Sequence, residues 1–307
     1  MKTCAGSKIK KSKGEQVFRV CNTVFMLFLC VIMFYPLYYI IIYSLNQGAD
    51  SMKGGLWLFP RILTTFNYEY VLGNGVIQKA YVITIARTAV GTFLGMTVTG
   101  LTAYGMSFRK LPHRNVLLVV ILIPMLFGGG LIPYYIQLSN LKLVNTFWVF
   151  VIPGMMNIWN MFVMMKSFMG MPESLREAAL LDGAGEWTIL FKIVLPLSKA
   201  TLAAIALFTA VGHWNDWYTG AFYVNKSTLM PLQTYLQRLF TAQDLSSLSA
   251  NSAVAAEAAA REPRLASMTI TSVKMAAVVI GTLPILCIYP FIQKYFVKGV
   301  MVGSVKG

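Results

Sequence analysis

Charge is what this sequence has least of. Of 307 residues only 12% are Asp, Glu, Lys or Arg and 57% are hydrophobic, whereas about a quarter of an ordinary soluble domain is charged. Water is therefore not the main solvent of this chain. Acids are scarcer than bases, 11 against 26, and there are only two histidines, His113 in a basic stretch and His213 in an apolar one. Neither has an acid and a nucleophile beside it in sequence, so no catalytic residue can be named. Lys226-Ser227-Thr228 has the tail of a phosphate-binding loop without its glycines, and no nucleotide site is expected from it. Cysteine numbers four, Cys4, Cys21, Cys30 and Cys287, with no metal-ligand spacing and no pair in an external loop. No metal site or disulfide framework is implied, and the four read as small packing residues.

What the sequence has in place of charge is long apolar runs. Five stretches are free of Asp, Glu, Lys and Arg: Val20 to Ala49, Asn115 to Leu141, Leu143 to Met165, Ala200 to Asn215 continuing past the single acid Asp216, and Met275 to Gln293. A sixth, Tyr81 to Phe108, carries only Arg87, close to one end. A bilayer needs about 17 to 25 such residues per helix. Six spans are predicted, each helical, because a helix satisfies its own backbone hydrogen bonds inside lipid. The fold class is therefore all-α and integral to a membrane.

A formal net charge of +15 could suggest nucleic acid, but the placement of the cations points elsewhere. Lys2, Lys8, Lys10, Lys11, Lys13 and Arg19 precede the first span; Arg109, Lys110 and Arg114 follow the second; Lys166, Arg176, Lys192 and Lys199 follow the fourth; Lys294, Lys298 and Lys306 follow the sixth. That puts 16 cations on one side against eight on the other, with Arg87 and Lys274 at the membrane edge. Basic loops stay inside, so both termini are expected in the cytoplasm and the charge encodes topology. The first apolar run is longer than a signal-peptide core of about 7 to 15 residues, and no cleavage pattern follows Tyr43, so it is expected to be retained.

The connections are unequal. The turn around Asn140 is short, while the external segments Ser44 to Ala80 and Val224 to Ser272 are long enough to hold structure and suit docking of a soluble partner. The second contains a helix-favouring, Ala-rich stretch, Ala250 to Arg261. In the second span Gly91, Gly95, Thr99 and Ala103 recur every fourth residue, a spacing that lets helix backbones approach closely, here within the chain or across a subunit interface. Gly128-Gly129-Gly130 and Pro133 should break the third span near its outer end.

The inner loop, 166–199, is organised differently. Pro172 and Glu173 suit a helix's first turn, and the helix Glu173 to Asp182 meets Gly183, a residue fit for a left-handed stop. A second amphipathic segment, Glu186 to Leu195, runs up to Pro196. Two short helices hinged at a glycine make a rigid cytoplasmic knob.

Glu177-Ala178-Ala179, three residues, Gly183, nine residues, then Ile193-Val194-Leu195-Pro196 resembles the EAA loop of ATP-binding cassette (ABC) importer permeases. The resemblance covers nearly the whole chain. Gly212-His213-Trp214-Asn215-Asp216-Trp217 and the ending Tyr289-Pro290-Phe291 through Lys306-Gly307 are similar to the oligosaccharide branch of carbohydrate permeases, related to the maltose-type second permease. Ala200 departs from it, standing where many relatives have proline, which leaves the start of the fifth helix less defined.

The resemblance implies a type I importer permease: a basic tail (1–19), a six-helix permease domain (20–298) and a C-terminal tail (299–307) that reaches toward an ATPase dimer. It implies a bacterial plasma membrane, a heterodimer with a second permease, two cytoplasmic ATPase domains, an extracellular or periplasmic binding protein, and no nucleic-acid partner. No cofactor is expected on this chain; ATP and Mg belong to the ATPase. The coupling residues implied are Glu177, Ala178, Ala179, Asp182, Gly183, Ile193, Leu195 and Pro196. The mechanism implied is alternating access driven by ATPase closure.

Polar residues at membrane depth mark pathways by default. Asn157, Asn160, His213, Asn215 and Asp216 qualify, with Trp159, Trp214 and Trp217 as stacking faces for sugar rings. Asp216, however, stands 17 residues beyond Lys199, roughly 25 Å at ~1.5 Å per residue. Trp at that depth is equally read as an interfacial belt. A secondary transporter, with internal repeats and intramembrane charges, and a membrane-embedded enzyme are the rival classes; neither accounts for the inner loop.

Overall fold

Apolar backbone without water has one economical solution, the helix, and most of the described residues adopt it. The computed structural model describes residues 13–73, 75–246 and 268–304, with side chains over 13–73, 75–241 and 268–287. Among the described residues there is no strand, only an isolated antiparallel bridge between Asn46 and Leu63. The helices are α1 (Lys13–Leu45), α2 (Gly48–Ser51), α3 (Phe66–Gly73), α4 (Gly75–Ser107), α5 (Arg114–Leu126), α6 (Leu131–Asn140), α7 (Ile158–Met169), α8 (Glu173–Leu181), α9 (Glu186–Ile189), α10 (Leu195–Leu197), α11 (Lys199–Asn215), α12 (Tyr218–Tyr223), α13 (Leu232–Ser246) and α14 (Ile270–Ser304).

Three of these, α1, α4 and α14, are each long and apolar enough to cross a membrane. Three bent pairs bring the number to six if each pair is one span: α5 with α6 at 115°, Phe147–Gly154 with α7 at 47°, and Glu186–Leu197 with α11 at 83°. The first bend falls at the expected glycines, with Gly130 at φ +79°. The second was not expected, since Leu143 to Met165 reads as one apolar run. There the chain passes through 3-10 turns containing Pro153, whose missing N–H cannot continue a helix, and restarts at Ile158 with Asn157 as cap.

Two compact units result, Met1–Glu69 with Asn251–Val279, and Tyr70–Ala250 with Ile280–Gly307. In the first, α1 shows apolar side chains from Val17 to Phe34 on every face, as a helix solvated by lipid does. The second is built around α4, which packs on α7 and α11. Its inner core joins Ala103 and Tyr104 to Met161, Met164, Phe168, Ile189 and Ile205. The small residues of α4 serve packing within the chain. Gly91 lies under the His213 ring, Gly95 under Thr209 and the Met155 carbonyl, and Ala103 is fully buried.

Arg87 of α4 has no side-chain exposure, and Lys274 is also buried. The Ala-rich stretch Ala250 to Arg261 lies outside the described residues, as do the last three residues of the tail.

Candidate functional site

The inner loop forms the two-helix knob. Pro172 leads into α8 with Glu173 in its first turn, where a carboxylate faces the positive end of the helix. At the other end Asp182 N donates to Ala178 O (3.0 Å), Gly183 N to Leu180 O (3.0 Å) and Ala184 N to Ala179 O (2.9 Å), with Gly183 at φ +80°. This is the Schellman stop, in which a left-handed residue lets the last carbonyls find donors. Gly185 is extended, and Glu186 opens a second helical stretch that widens into a π turn at Leu190–Val194 before Pro196.

Burial divides the coupling candidates. Glu177, Ala178, Asp182 and Gly183 are exposed, while Ala179, Ile193, Leu195 and Pro196 are half-buried. Behind the exposed group Ile189, Leu190 and Val194 enter the inner core, with Ala179 and Leu195 packed on it. In front stand apolar side chains with no cover among the described residues. Leu181 is 89% exposed, and Trp187 and Phe191 stack at 6.2 Å in the open. A rigid base with a bare apolar tip suits insertion into a complementary cleft.

Sequence reasoning missed what ties the knob down. Arg176 of α8 pairs with Glu186 across the glycine turn, and Tyr104, near the end of α4, donates to the other oxygen of Glu186 at 2.6 Å. The Arg176 guanidinium also lies 4.3 Å from the centre of the Phe108 ring, a cation–π contact. The Arg176 hydrogen bond, with that from Tyr104, holds the Glu186 carboxyl below the usual carboxylate range, against a smaller effect of burial. Beneath α8 is a cleft of about 440 Å³ lined by Tyr104, Phe108, Phe168, Glu173, Glu177 and Ile193 among others. The opposite charges on the two amphipathic segments were the only signal available in sequence.

The pathway candidates follow the small-residue face of α4 without converging on one point. Asn157 Oδ1 accepts from Asn160 N at 2.9 Å, and Asn160 Nδ2 donates to Thr209 Oγ1 of α11 at 3.4 Å. His213 sits on Gly91, Asn215 is exposed, and Asp216 stops α11. Arg87 binds Asp216 through Nη1 to Oδ2 at 3.4 Å and through Nη2 to the backbone carbonyl. Phe150 lies 5.2 Å from the same guanidinium. Trp214 is buried and donates to Gly281 O at 3.1 Å, which removes it as a stacking face in this conformation, whereas Trp159 and Trp217 are exposed.

A family model described as the inner membrane component of binding-protein-dependent transport systems matches residues 4–302. The chain is 36% identical over 299 residues to Protein LplC of Bacillus subtilis (strain 168), covering 96% of this chain and 97% of that protein. It is 33% identical over 288 residues to the polygalacturonan/rhamnogalacturonan transport system permease protein YtcP of the same organism, covering 92% and 96%. Among solved structures, a chain of a bacterial ABC transporter involved in the import of the acidic polysaccharide alginate aligns at a TM-score of 0.84 and 28% identity, over 94% of this chain and 99% of that one.

Proposed function

We propose, from the premise that this chain belongs to the family of inner membrane components of binding-protein-dependent transport systems, that it is a permease whose inner knob receives movement from a separate ATPase and whose cargo is an oligosaccharide or related carbohydrate. The family is one of ABC importers, and the secondary-transporter and membrane-enzyme readings have no support beside it. The substrate class is supported by the relatives, whose names and titles speak of polygalacturonan/rhamnogalacturonan and alginate. The observation that carries the coupling role is the knob, a stiff protrusion with Leu181, Trp187 and Phe191 bare at its tip and Tyr104 gripping its base.

In this reading Glu177, Ala178, Ala179, Asp182 and Gly183 meet the ATPase, and Ile193, Leu195 and Pro196 carry the displacement into α11. ATP and Mg are held by the ATPase subunits, a second permease completes the translocation cavity, and a binding protein delivers cargo outside. Asn157, Asn160, His213, Asn215 and Asp216 line or brace that cavity. Both termini are cytoplasmic, and the tail 299–307 reaches toward the ATPase.

The deciding experiment is co-purification with the ATPase and second permease, followed by ATPase measurement with candidate binding proteins and sugars. Stimulation by a loaded carbohydrate-binding protein is the expected result; absence of any associated ATPase overturns the reading. Topology is checked by labelling intact cells, where Ser227→Cys should react with an impermeant thiol reagent and Ser174→Cys should not.

A further inference from the structure

The loop after α1 has its polarity inverted. Its polar side chains are inside: Asn46, Asp50, Ser51 and Asn67 are all buried. Asn46 donates to Asp50 and Ser51, Asp50 accepts from Arg61 Nε at 2.8 Å, and Asn67 donates to the carbonyls of Ser44 and Asn46. Apart from Leu56, which is buried, its large apolar side chains are outside, with Trp57 69%, Leu58 60% and Phe59 75% exposed, and Met52 and Leu63 exposed too. Water favours the opposite arrangement, and a contiguous exposed apolar patch marks an interaction surface.

The position of this patch along α1 identifies the partner. Gly54 and Gly55, both at positive φ, turn the chain back toward α1. There the Tyr35 hydroxyl donates to Trp57 O at 3.4 Å and the Tyr38 hydroxyl to Leu58 O at 2.6 Å. Counted from Arg19, the last cation before the apolar run, these tyrosines lie about 24 and 28 Å along the helix. A hydrocarbon core is ~30 Å thick, so the loop tip is held at its far boundary rather than above it. Through the two tyrosine hydrogen bonds the loop tip meets α1 beside its exposed apolar residues Phe34 and Leu37. Its backbone carbonyls at 57 and 58 already have donors, which is what backbone at that depth requires.

We propose that Trp57, Leu58 and Phe59 form an interfacial anchor, folded back along α1 and inserted among the lipids of the leaflet that the topology reading above makes the outer one. The bond from the exposed Arg61 to the buried Asp50 carboxylate holds the loop in this orientation, while Lys53 stays in water.

The test uses the full chain in its assembled transporter, reconstituted in liposomes, with a nitroxide on Leu58→Cys and, as control, on Lys53→Cys in a background lacking the four native cysteines. Collision with oxygen, which concentrates in lipid, is compared with collision with a water-soluble nickel chelate. Expected is a severalfold higher oxygen-to-nickel ratio at Leu58→Cys than at Lys53→Cys, unchanged when a binding protein is added. Equal ratios overturn the proposal. Shielding from both reagents at Leu58→Cys also overturns it, since a protein partner then covers the patch. Adding the chelate on one side only separates the two readings: if Lys53→Cys is reached solely from the cytoplasmic side while Leu58→Cys remains in lipid, the topology fails and the anchor stands.

Discussion

Two arginine–carboxylate pairs use the same chemistry in opposite settings. Arg176–Glu186 lies on the knob with its side chains 36% and 44% exposed, whereas the Arg87 side chain in the Arg87–Asp216 pair is fully buried inside the bundle. Exposed pairs contribute about 0–1 kcal/mol, so the knob pair can set the angle between two short helices without fixing the bundle. A buried pair is different, because losing one partner strands a charge in a medium that cannot solvate it. Arg87 bridges α4 to the end of α11 and leaves only its Nε without a partner among the described residues. In the proposed coupling role, one pair would belong to the surface that moves and the other to the frame against which it moves.

Breaking the buried pair should have the largest effect. Asp216→Ala removes the carboxylate that balances buried Arg87 and leaves it only the backbone carbonyl of residue 216, at a cost of up to about 3–5 kcal/mol, and the permease should fall sharply in membrane level and in thermal aggregation temperature. The double variant Arg87→Met, Asp216→Leu should recover most of the level, because the stranded charge is gone. Normal accumulation of the Asp216→Ala single variant would remove the pair from the frame.

Gly183→Val comes next and tests the opposite member of the comparison. A Cβ at Gly183 meets open space, so the cost is that of the left-handed backbone alone, about 1–2 kcal/mol. The variant should reach the membrane at near-normal level yet lose substrate-stimulated ATP hydrolysis, and Glu177→Lys should do the same. Disappearance from the membrane would make the knob part of the frame.

Smaller again is the effect of Tyr104→Phe, which removes one hydrogen bond between α4 and the knob, about 1 kcal/mol. Transport should drop severalfold with ATPase binding retained, and a double-mutant cycle with Glu186→Gln should be non-additive. Additive losses would mean that α4 and the knob act independently. The smallest effect is that of pH. Glu186 has its carboxyl lowered from 4.5 by Arg176, so its contribution is complete above the ordinary carboxylate value and lost only as pH falls through the lowered one. Coupling should be flat across the neutral range, and a midpoint near neutrality would assign the pH dependence to another group.

Much of the knob was legible because its signals are local. Pro172, Glu173 and Gly183 specify the start and stop of α8 within twelve residues, and each acts on its immediate neighbours. The break after α5 was legible for the same reason. Less visible was the interruption before α7, where Pro153 and Asn157 sit inside an unbroken apolar run and hydropathy outweighs their punctuation. The role of Arg87 was not legible because its partner Asp216 lies far along the chain and no local pattern joins the two.

The sequence alone determined the solvent, the number of apolar runs and the hinge of the inner loop, since each depends on composition or on neighbours a few residues apart. Tertiary structure decided which groups meet. Arg87 and Asp216 are 129 residues apart and Tyr104 and Glu186 are 82 apart. Such pairings are set by how α4 packs on α7 and α11, a property of side-chain volumes on several helices at once. The inverted loop after α1 belongs to the same category. Its residues read as an ordinary mixed segment until folding buries Asn46 and Asp50 and turns Trp57 and Phe59 outward, because burial depends on where the chain returns.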